Sequence, residues 1–306
     1  MITLVENIKE ANCITHSGTM HADEVFATAF LELYLKEIKV TRVSEITNED
    51  QREDVIIYDI GGGKFDHHQE NSKKRENGIA YSSFGLLWKY YGKAYLKQQK
   101  IKKIDDVFTQ IDKDFVEGID AMDNGIFPKV EAPFKMKTID DIIHLFNPTF
   151  ISTKQENTQF LKAVQVAKTI FQEEVDHALG KVIAKTKVIE AIKKAENHIL
   201  VLDQYMPYEE TLLKTDLEQK IYFVIFPSNR GGYAIKAVPK SNEDRTNRMN
   251  FPKEWGGLRL EELERVSNIP GFRFCHKGLF FATCNNKETA LYIVNQTIEQ
   301  QRSLAK

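Results

Sequence analysis

The sequence predicts an α/β protein. A parallel-sheet N-terminal domain with crossover helices is followed by a smaller α+β domain. Three observations carry this. Apolar, β-branched runs alternate with helical-period segments through the first third of the chain, as in βαβ units. One long stretch, Glu156 to about Ala195, holds Phe160, Val164, Ala167, Phe171, Val175, Ala178, Val182 and Ile189 at helical spacing. From His198 the texture changes to short strands punctuated by Gly and Pro. A chain of 306 residues is long for one core and suits two domains. The boundary is placed near residue 195, giving domains 1–195 and 196–306.

The elements run in chain order. Ala11 to Thr15 is a short apolar run ending at His16, and "THSGTMHADE" (15–24) is a loop. "EVFATAFLELYLKE" (24–37) repeats apolar residues at helical spacing, and Val40–Val43 is a short strand. "DVIIYDIGGG" (54–63) is continuously apolar before Asp59, the pattern of a strand buried on both faces. Residues 79–96 and 104–125 each carry an apolar helical face, the second stopping at "DNG". The aromatics Tyr81, Phe84, Trp88, Tyr90 and Tyr91 could stack bases, but this spacing favours helix core. Asn147-Pro148 marks a break before the long helical stretch. In the second domain, 198–207, 220–229, 231–239 and 272–284 read as strands, and a last helix starts at Lys287.

Hydrophobic residues make up 42% and charged residues 28%, the profile of a globular protein. The net charge of −2 gives no overall pull toward polyanions, so a nucleic-acid contact would need a local basic patch or a metal. No segment approaches 18 apolar residues, and the N-terminus has neither a signal nor a transit pattern. Three cysteines, Cys13, Cys275 and Cys284, without framework spacing point to a reducing compartment and cytoplasmic residence.

Chemistry concentrates in two short stretches. "THSGTMHADE" offers His16, His21 and Asp23, while "YDIGGGKFDHHQ" (58–69) offers Asp59, Asp66, His67 and His68. His16 and Asp59 both fall at strand carboxyl ends, so the two loops are expected to open onto one crevice. A carboxylate at the end of a buried strand is costly unless compensated, and a pair of metal ions would compensate it. Mixed imidazole and carboxylate donors suit Mn²⁺, Fe²⁺, Co²⁺ or Zn²⁺ better than Mg²⁺. The absence of CxxC pairs argues against a structural zinc. "EGIDAMDNG" (117–125) adds Asp120 and Asp123, three apart on one helical face. In the second domain, "SNRGGYAIKAV" places Arg230 before Gly231 and Gly232, and "GFRFCHKG" supplies Arg273 and His276. These could meet a phosphate, although a glycine pair is also an ordinary hairpin turn. Arg245 and Arg248 read as a solvated charge cluster.

The ordered set "THSGTMHADE", "YDIGGGKFDHHQ", "IDAMDNGI", "GGYAIKAVP" and "EWGGLRLEELERVSNIPGFRFCHKGLFFA" resembles the melanocyte proliferating gene 1 (Myg-type) family. That family lies within the DHH phosphoesterase superfamily of RecJ-type exonucleases, oligoribonucleases and manganese pyrophosphatases. The resemblance spans most of the chain. It implies a DHH-phosphoesterase-like fold with two divalent ions in a cleft between the domains, manganese first, with zinc, cobalt or iron as alternatives. It implies that His16, His21 and Asp59 hold one ion and that Asp23, Asp59, His67 and Asp120 hold the other, Asp59 bridging. His68 resembles the histidine that meets the substrate phosphate, and Asp66 the acid that orients a histidine. Arg230, Gly231, Gly232, Arg273 and His276 are the implied substrate contacts. One departure is His21, where many superfamily members carry an acid. It makes the site less negative and bears on metal preference.

The expected activity is a metal-dependent phosphodiesterase, a 3′-to-5′ exonuclease on RNA or short oligonucleotides. Two cations about 3.5–4 Å apart lower the pKa of a shared water and stabilise charge on a phosphoryl oxygen. A small-molecule phosphohydrolase acting on pyrophosphate, a nucleotide or a dinucleotide is the alternative, with hydrolysis of another bond ranked lower. The expected partner is a phosphate-ester substrate, RNA or an oligonucleotide, with no membrane partner, and a homo-oligomer is allowed for.

Overall fold

The computed structural model describes residues 1–304. The chain divides into two compact units, Met1–Val182 and Ile183–Lys306. In the first, strands β1 (Ile2–Leu4), β2 (Cys13–His16), β3 (Ile38–Val43) and β4 (Ile56–Ile57) form a sheet in the order β1-β3-β2-β4. All three pairings are parallel, as the alternating pattern required. Helix α1 (Ala22–Leu35) is the crossover between β2 and β3. Every residue from Ala22 to Glu32 is buried, so α1 is covered on all sides.

Helix α2 (Ser83–Gln98) packs on α1 through an aromatic cluster. Phe30 meets Trp88 edge-to-face at 5.7 Å, and Phe84 meets Phe171 at 5.6 Å. Phe84 and Trp88 are fully buried, so this part of the stripe is core, while Tyr90 is exposed. Next, α3 (Ile104–Ile111) runs without a break through a π turn, Asp112–Val116, into α4 (Glu117–Asp123). A π turn inserts one residue into the helical repeat and rotates the residues beyond it. Helix α5 (Ile139–His144) leads to α6 (Glu156–Lys193), one continuous helix where the spacing allowed one or two.

In the second unit, β5 (Ile199–Val201) pairs parallel with β6 (Phe223–Pro227), and helix α7 (Glu209–Thr215) lies between them in sequence. Strands β7 (Tyr233–Ala237), β8 (Phe272–Cys275) and β9 (Phe281–Cys284) complete a mixed sheet in the order β5-β6-β7-β9-β8. Alternate residues of β6 face opposite ways. Phe223 and Ile225 join a core with Ala290, Ile293 and Val294 of α9 (Lys287–Leu304). Val224 and Phe226 join a second core with Ala184, Val188 and Leu212. Helix α8 (Leu260–Ser267) buries Leu263. Strand β1 and helices α7 and α8 have no counterpart among the elements expected from the sequence. All three cysteines are buried and free. No helix among the described residues is long and apolar enough to cross a membrane.

Candidate metal centre

The register of the parallel sheet builds the site. Strand β2 pairs with β4 at Cys13–Ile56 and Ile14–Ile57, which carries His16 and Asp59 to the same sheet edge. Their side chains meet there, His16 Nε2 standing 3.1 Å from Asp59 Oδ2. Asp59 has φ +60°, a left-handed conformation uncommon for a non-glycine residue and concentrated at functional positions. The turn after it uses Gly62, φ +66°, whose N–H donates to Asp66 Oδ2 at 2.7 Å. Asp66 also accepts from the His68 N–H and holds His68 Nδ1 at 2.8 Å, fixing that ring. The His68 and His67 rings lie 4.1 Å apart, and the His68 side chain remains 63% exposed.

The "THSGTMHADE" loop is held from behind. Arg42 of β3, its side chain 1% exposed, donates to the carbonyls of His16 and Gly18 and pairs with Glu156 at 2.8 Å. Glu156 in turn accepts the Gly18 N–H, and Asn147 makes a reciprocal pair of bonds with the Met20 backbone. The loop ends at His21, whose N–H donates to the Glu24 carboxylate three residues on, as in a capping box. Asp23 and Glu24 thereby enter the site from the first turn of α1.

Asp23 is fully buried, and neither of its carboxylate oxygens has a hydrogen-bond partner. Burial, followed by the charges of Asp59, Asp123 and Glu24, pushes its carboxyl well above the usual carboxylate range. Burial also pushes Glu24 up, to about 8, although His16 pulls the other way. Burial alone would raise Asp59, but the bonds from His16 and His67 override it and hold this carboxyl below the usual range. For His16 and His67 burial favours the neutral ring. It is outweighed by Asp59 and Glu24 at His16, pushed up to about 9, and by Asp123 and Asp59 at His67, pushed up to about 10.

Donor atoms lie within 4.8 Å of one another in four overlapping sets among the described residues. These are Asp59, Asp66, His67 and His68; His16, His21 and Glu24; His21, Asp23 and Asp123; and Asp23, Glu24 and Asp59. The structure therefore brings together His16, His21, Asp23, Asp59, Asp66, His67 and His68, as the two motifs suggested. It does not bring Asp120 to them. Asp120 is buried and engaged by Arg75 at 2.6 Å, Ser82 at 2.5 Å and the Gly85 N–H at 3.0 Å. Arg75 also holds Asp112 at 2.8 Å, within the π turn. Asp123 takes the position facing the cluster, 2.8 Å from His67 Nε2 but without hydrogen-bond alignment. Glu24 is the second group that motif reading passed over. Its signal was the capping-box spacing from His21.

The donor set fits divalent cations. A buried polar group without a partner costs about 1–3 kcal/mol and a charged one more, and here three further acids crowd Asp23. A cation would supply the missing partner, and imidazole with carboxylate is the donor chemistry of Mn²⁺, Fe²⁺, Co²⁺ and Zn²⁺.

Of the residues expected to meet substrate, Arg230, Gly231 and Arg273 line one cavity of the second unit, with a volume of about 530 Å³. Gly232 stands beside it. A Cβ there would lie 2.1 Å from the Cys284 carbonyl, so the β6–β7 turn requires glycine at this point. His276 is turned to its own loop, accepting the Gly278 N–H at 2.9 Å and packing on Phe280. Arg245 pairs with Glu209, and the buried Arg248 with Asp216.

Residues 12–298 match a family model for MYG1 exonuclease, described as an uncharacterised protein family (UPF0160). The MYG1 protein of Schizosaccharomyces pombe is 31% identical, the match covering 93% of this chain and 96% of the relative. The Homo sapiens protein named MYG1 exonuclease is 27% identical over 95% of this chain and 86% of its own length. The MYG1 protein of Chlamydia trachomatis is 27% identical, covering 94% and 96%. No solved structure matches the chain.

Proposed function

The chain belongs to the MYG1 family, and from that premise we propose that it is a metal-dependent phosphodiesterase, a 3′-to-5′ exonuclease on RNA or short oligonucleotides. The observation that carries the metal-dependent part is Asp23, a fully buried carboxylate with two unpartnered oxygens inside a ring of histidines and acids. The nuclease part rests on relatives named MYG1 exonuclease, and the polarity on the superfamily resemblance. In this reading the first domain is DHH-phosphoesterase-like and catalytic, the second binds substrate, and the protein works in a reducing, cytoplasmic setting.

His16, His21, Asp23, Asp59, His67 and Asp123 would hold two divalent ions, with Glu24 in reserve beside His16. Bound ions supply an activated water and neutralise developing phosphoryl charge. The chain's own residues do the rest. Asp66 fixes His68 at 2.8 Å, so the exposed imidazole is oriented to contact a phosphate or pass a proton to the leaving oxygen. Ser83 donates to Asp59 Oδ1 at 3.0 Å and steadies the carboxylate between the two histidines. Arg42, Glu156 and Asn147 keep the His16–His21 loop in place.

The test is incubation of protein reconstituted with Mn²⁺, Mg²⁺, Zn²⁺ or Co²⁺ against end-labelled RNA, a dinucleotide and pyrophosphate, with products resolved by length. A ladder shortening from the 3′ end is expected, and Asp59→Ala abolishes it. Cleavage of only the small substrates would replace the exonuclease reading with small-phosphate hydrolysis. No turnover with any metal would overturn both.

A further inference from the structure

The connection between α4 and α5 leaves the candidate metal centre with its apolar side chains in solvent. It starts directly after Asp123. Asn124 fixes the root, its side chain donating to the Asp120 carbonyl at 2.8 Å and the Ala80 carbonyl at 3.3 Å. Thr138 fixes the far end, in a capping box with Asp141. Between these anchors, from Phe127 to Lys137, no residue makes a hydrogen bond or an ion pair among the described residues. Pro128 and Pro133 disfavour the helical region at Phe127 and Ala132, which keeps this strap from coiling up on itself.

Its composition is one-sided. Ile126, Phe127, Val130, Phe134 and Met136 are all exposed, the longest such run among the described residues. Phe127 is 62% exposed and Phe134 68%. Single exposed apolar residues are ordinary, whereas a contiguous run marks an interaction surface. Lys129, Lys135 and Lys137 are interleaved with them, against one acid, Glu131. Asp141 feels the charges of Lys137 and Lys135, but its carboxylate is engaged by the Thr138 N–H at 2.8 Å and Oγ1 at 3.0 Å. The strap is thus the local basic patch that a chain of net charge −2 needs to meet a polyanion.

Open aromatic faces among unpaired lysines match single-stranded RNA: bases stack on the rings, and phosphates meet the ammonium groups. An anionic membrane is the weaker match, because the polybasic segments that hold one carry about 4–8 Lys or Arg. Position agrees. Phe127 follows Asp123 by four residues, so the chain keeps it within about 14 Å of that residue. A strand whose end sits at the metal centre passes it within a few nucleotides.

We propose that residues 126–137 form a single-stranded RNA strap, Phe127 and Phe134 stacking bases and Lys129, Lys135 and Lys137 meeting phosphates a few nucleotides from the end being cleaved. The inference deepens the nuclease reading and rests on it for the ligand class.

The test is fluorescence anisotropy of the full-length, metal-free protein with a labelled oligouridylate of about 12 nucleotides, within the range of single-strand site sizes, at several salt concentrations. Phe127→Ala and Phe134→Ala should each weaken binding about fivefold or more. The melting temperature should not change, because both rings are mainly in solvent. Lys129→Gln, Lys135→Gln and Lys137→Gln together should flatten the slope of log affinity against log salt by about 2, the value for three phosphate contacts on a single strand. No binding by the parent, or affinity and slope that stay parental in every variant, would overturn the proposal. So would parental RNA binding in variants that lose sedimentation with phosphatidylserine vesicles, which would make the strap a membrane contact. Parental RNA binding in variants that convert a parental dimer to a monomer would overturn it too, making the strap a subunit contact. Strap-dependent RNA binding by a protein without turnover would sink the hydrolase reading while this one stands. Turnover of RNA with a parental KM in both Phe variants would do the reverse.

Discussion

Replacing Asp23 by Asn separates a cation site from a merely acidic core. Asp23 shares a 4.8 Å neighbourhood with Glu24 and Asp59, and neither of its oxygens is partnered. Two unit charges at that distance repel by about 3.5 kcal/mol at an effective dielectric constant of about 20. Proton uptake by Asp23 and the charges of His16 and His67 absorb part of this, leaving about 1–2 kcal/mol to be relieved. Asn stays buried without partners, so only the charge term is removed. The metal-free variant should therefore be more stable than the parent, melting about 2–8 °C higher for a unit of this size. The sign with pH follows from the raised carboxyl. Between its ordinary value and its folded value the parent loses stability as pH rises, so the advantage of the variant grows with pH. Metal reverses the order. At a concentration of about 100 Kd the parent gains about 2.7 kcal/mol, whereas a variant bound about 100-fold more weakly gains only about 0.4 kcal/mol. Differential scanning fluorimetry with and without Mn²⁺, across a pH series, reads both effects. A metal-free variant no more stable than the parent, combined with an undiminished metal shift, would refute the assignment of Asp23 as a ligand.

The same geometry gives two further expected outcomes. A Cβ on Gly85 would sit 1.9 Å from Asp120 Oδ2, so Gly85→Ala must displace a fully buried carboxylate from Arg75. It should cost about 3–5 kcal/mol in urea denaturation, and a near-parental midpoint would contradict the close packing of Asp120 against α2. In the metal-free protein His16 and His67 keep their protons up to about 9 and about 10, so metal binding must expel protons. Because both folded values lie above the ordinary histidine value of about 6.5, their stabilising contribution is complete below that pH and fades as pH rises through 9 and 10. Metal affinity should climb across the same window, with proton release visible as buffer-dependent binding heats. Affinity that is flat over this range would rule out these two rings as ligands.

The resemblance and the residues did not carry equal information about Asp120 and Asp123. Both lie on one helical face in sequence, three residues apart, and either could have met the cluster. Which one does is decided by Arg75 and Gly85, which claim Asp120 from other elements. Neither partner can be recognised from a one-dimensional pattern. Glu24 was hidden differently. Its spacing from His21 is that of a helix cap, a local role that conceals a second exposure to the metal site.

What the sequence determined by itself was local and periodic. The βαβ alternation, the strand-end positions of His16 and Asp59, and the clustering of His67 and His68 beside Asp66 depend on neighbours a few residues away. Strand register then carries the two motifs to one edge. What only the tertiary structure decided depends on distant partners. The choice of Asp123 over Asp120, the clamp of Arg42, Glu156 and Asn147 on the His16 loop, and the meeting of Arg230 and Arg273 in one cavity all join residues far apart in the chain. Such contacts are set by how whole elements pack, because burial and charge pairing act through space and not along the sequence.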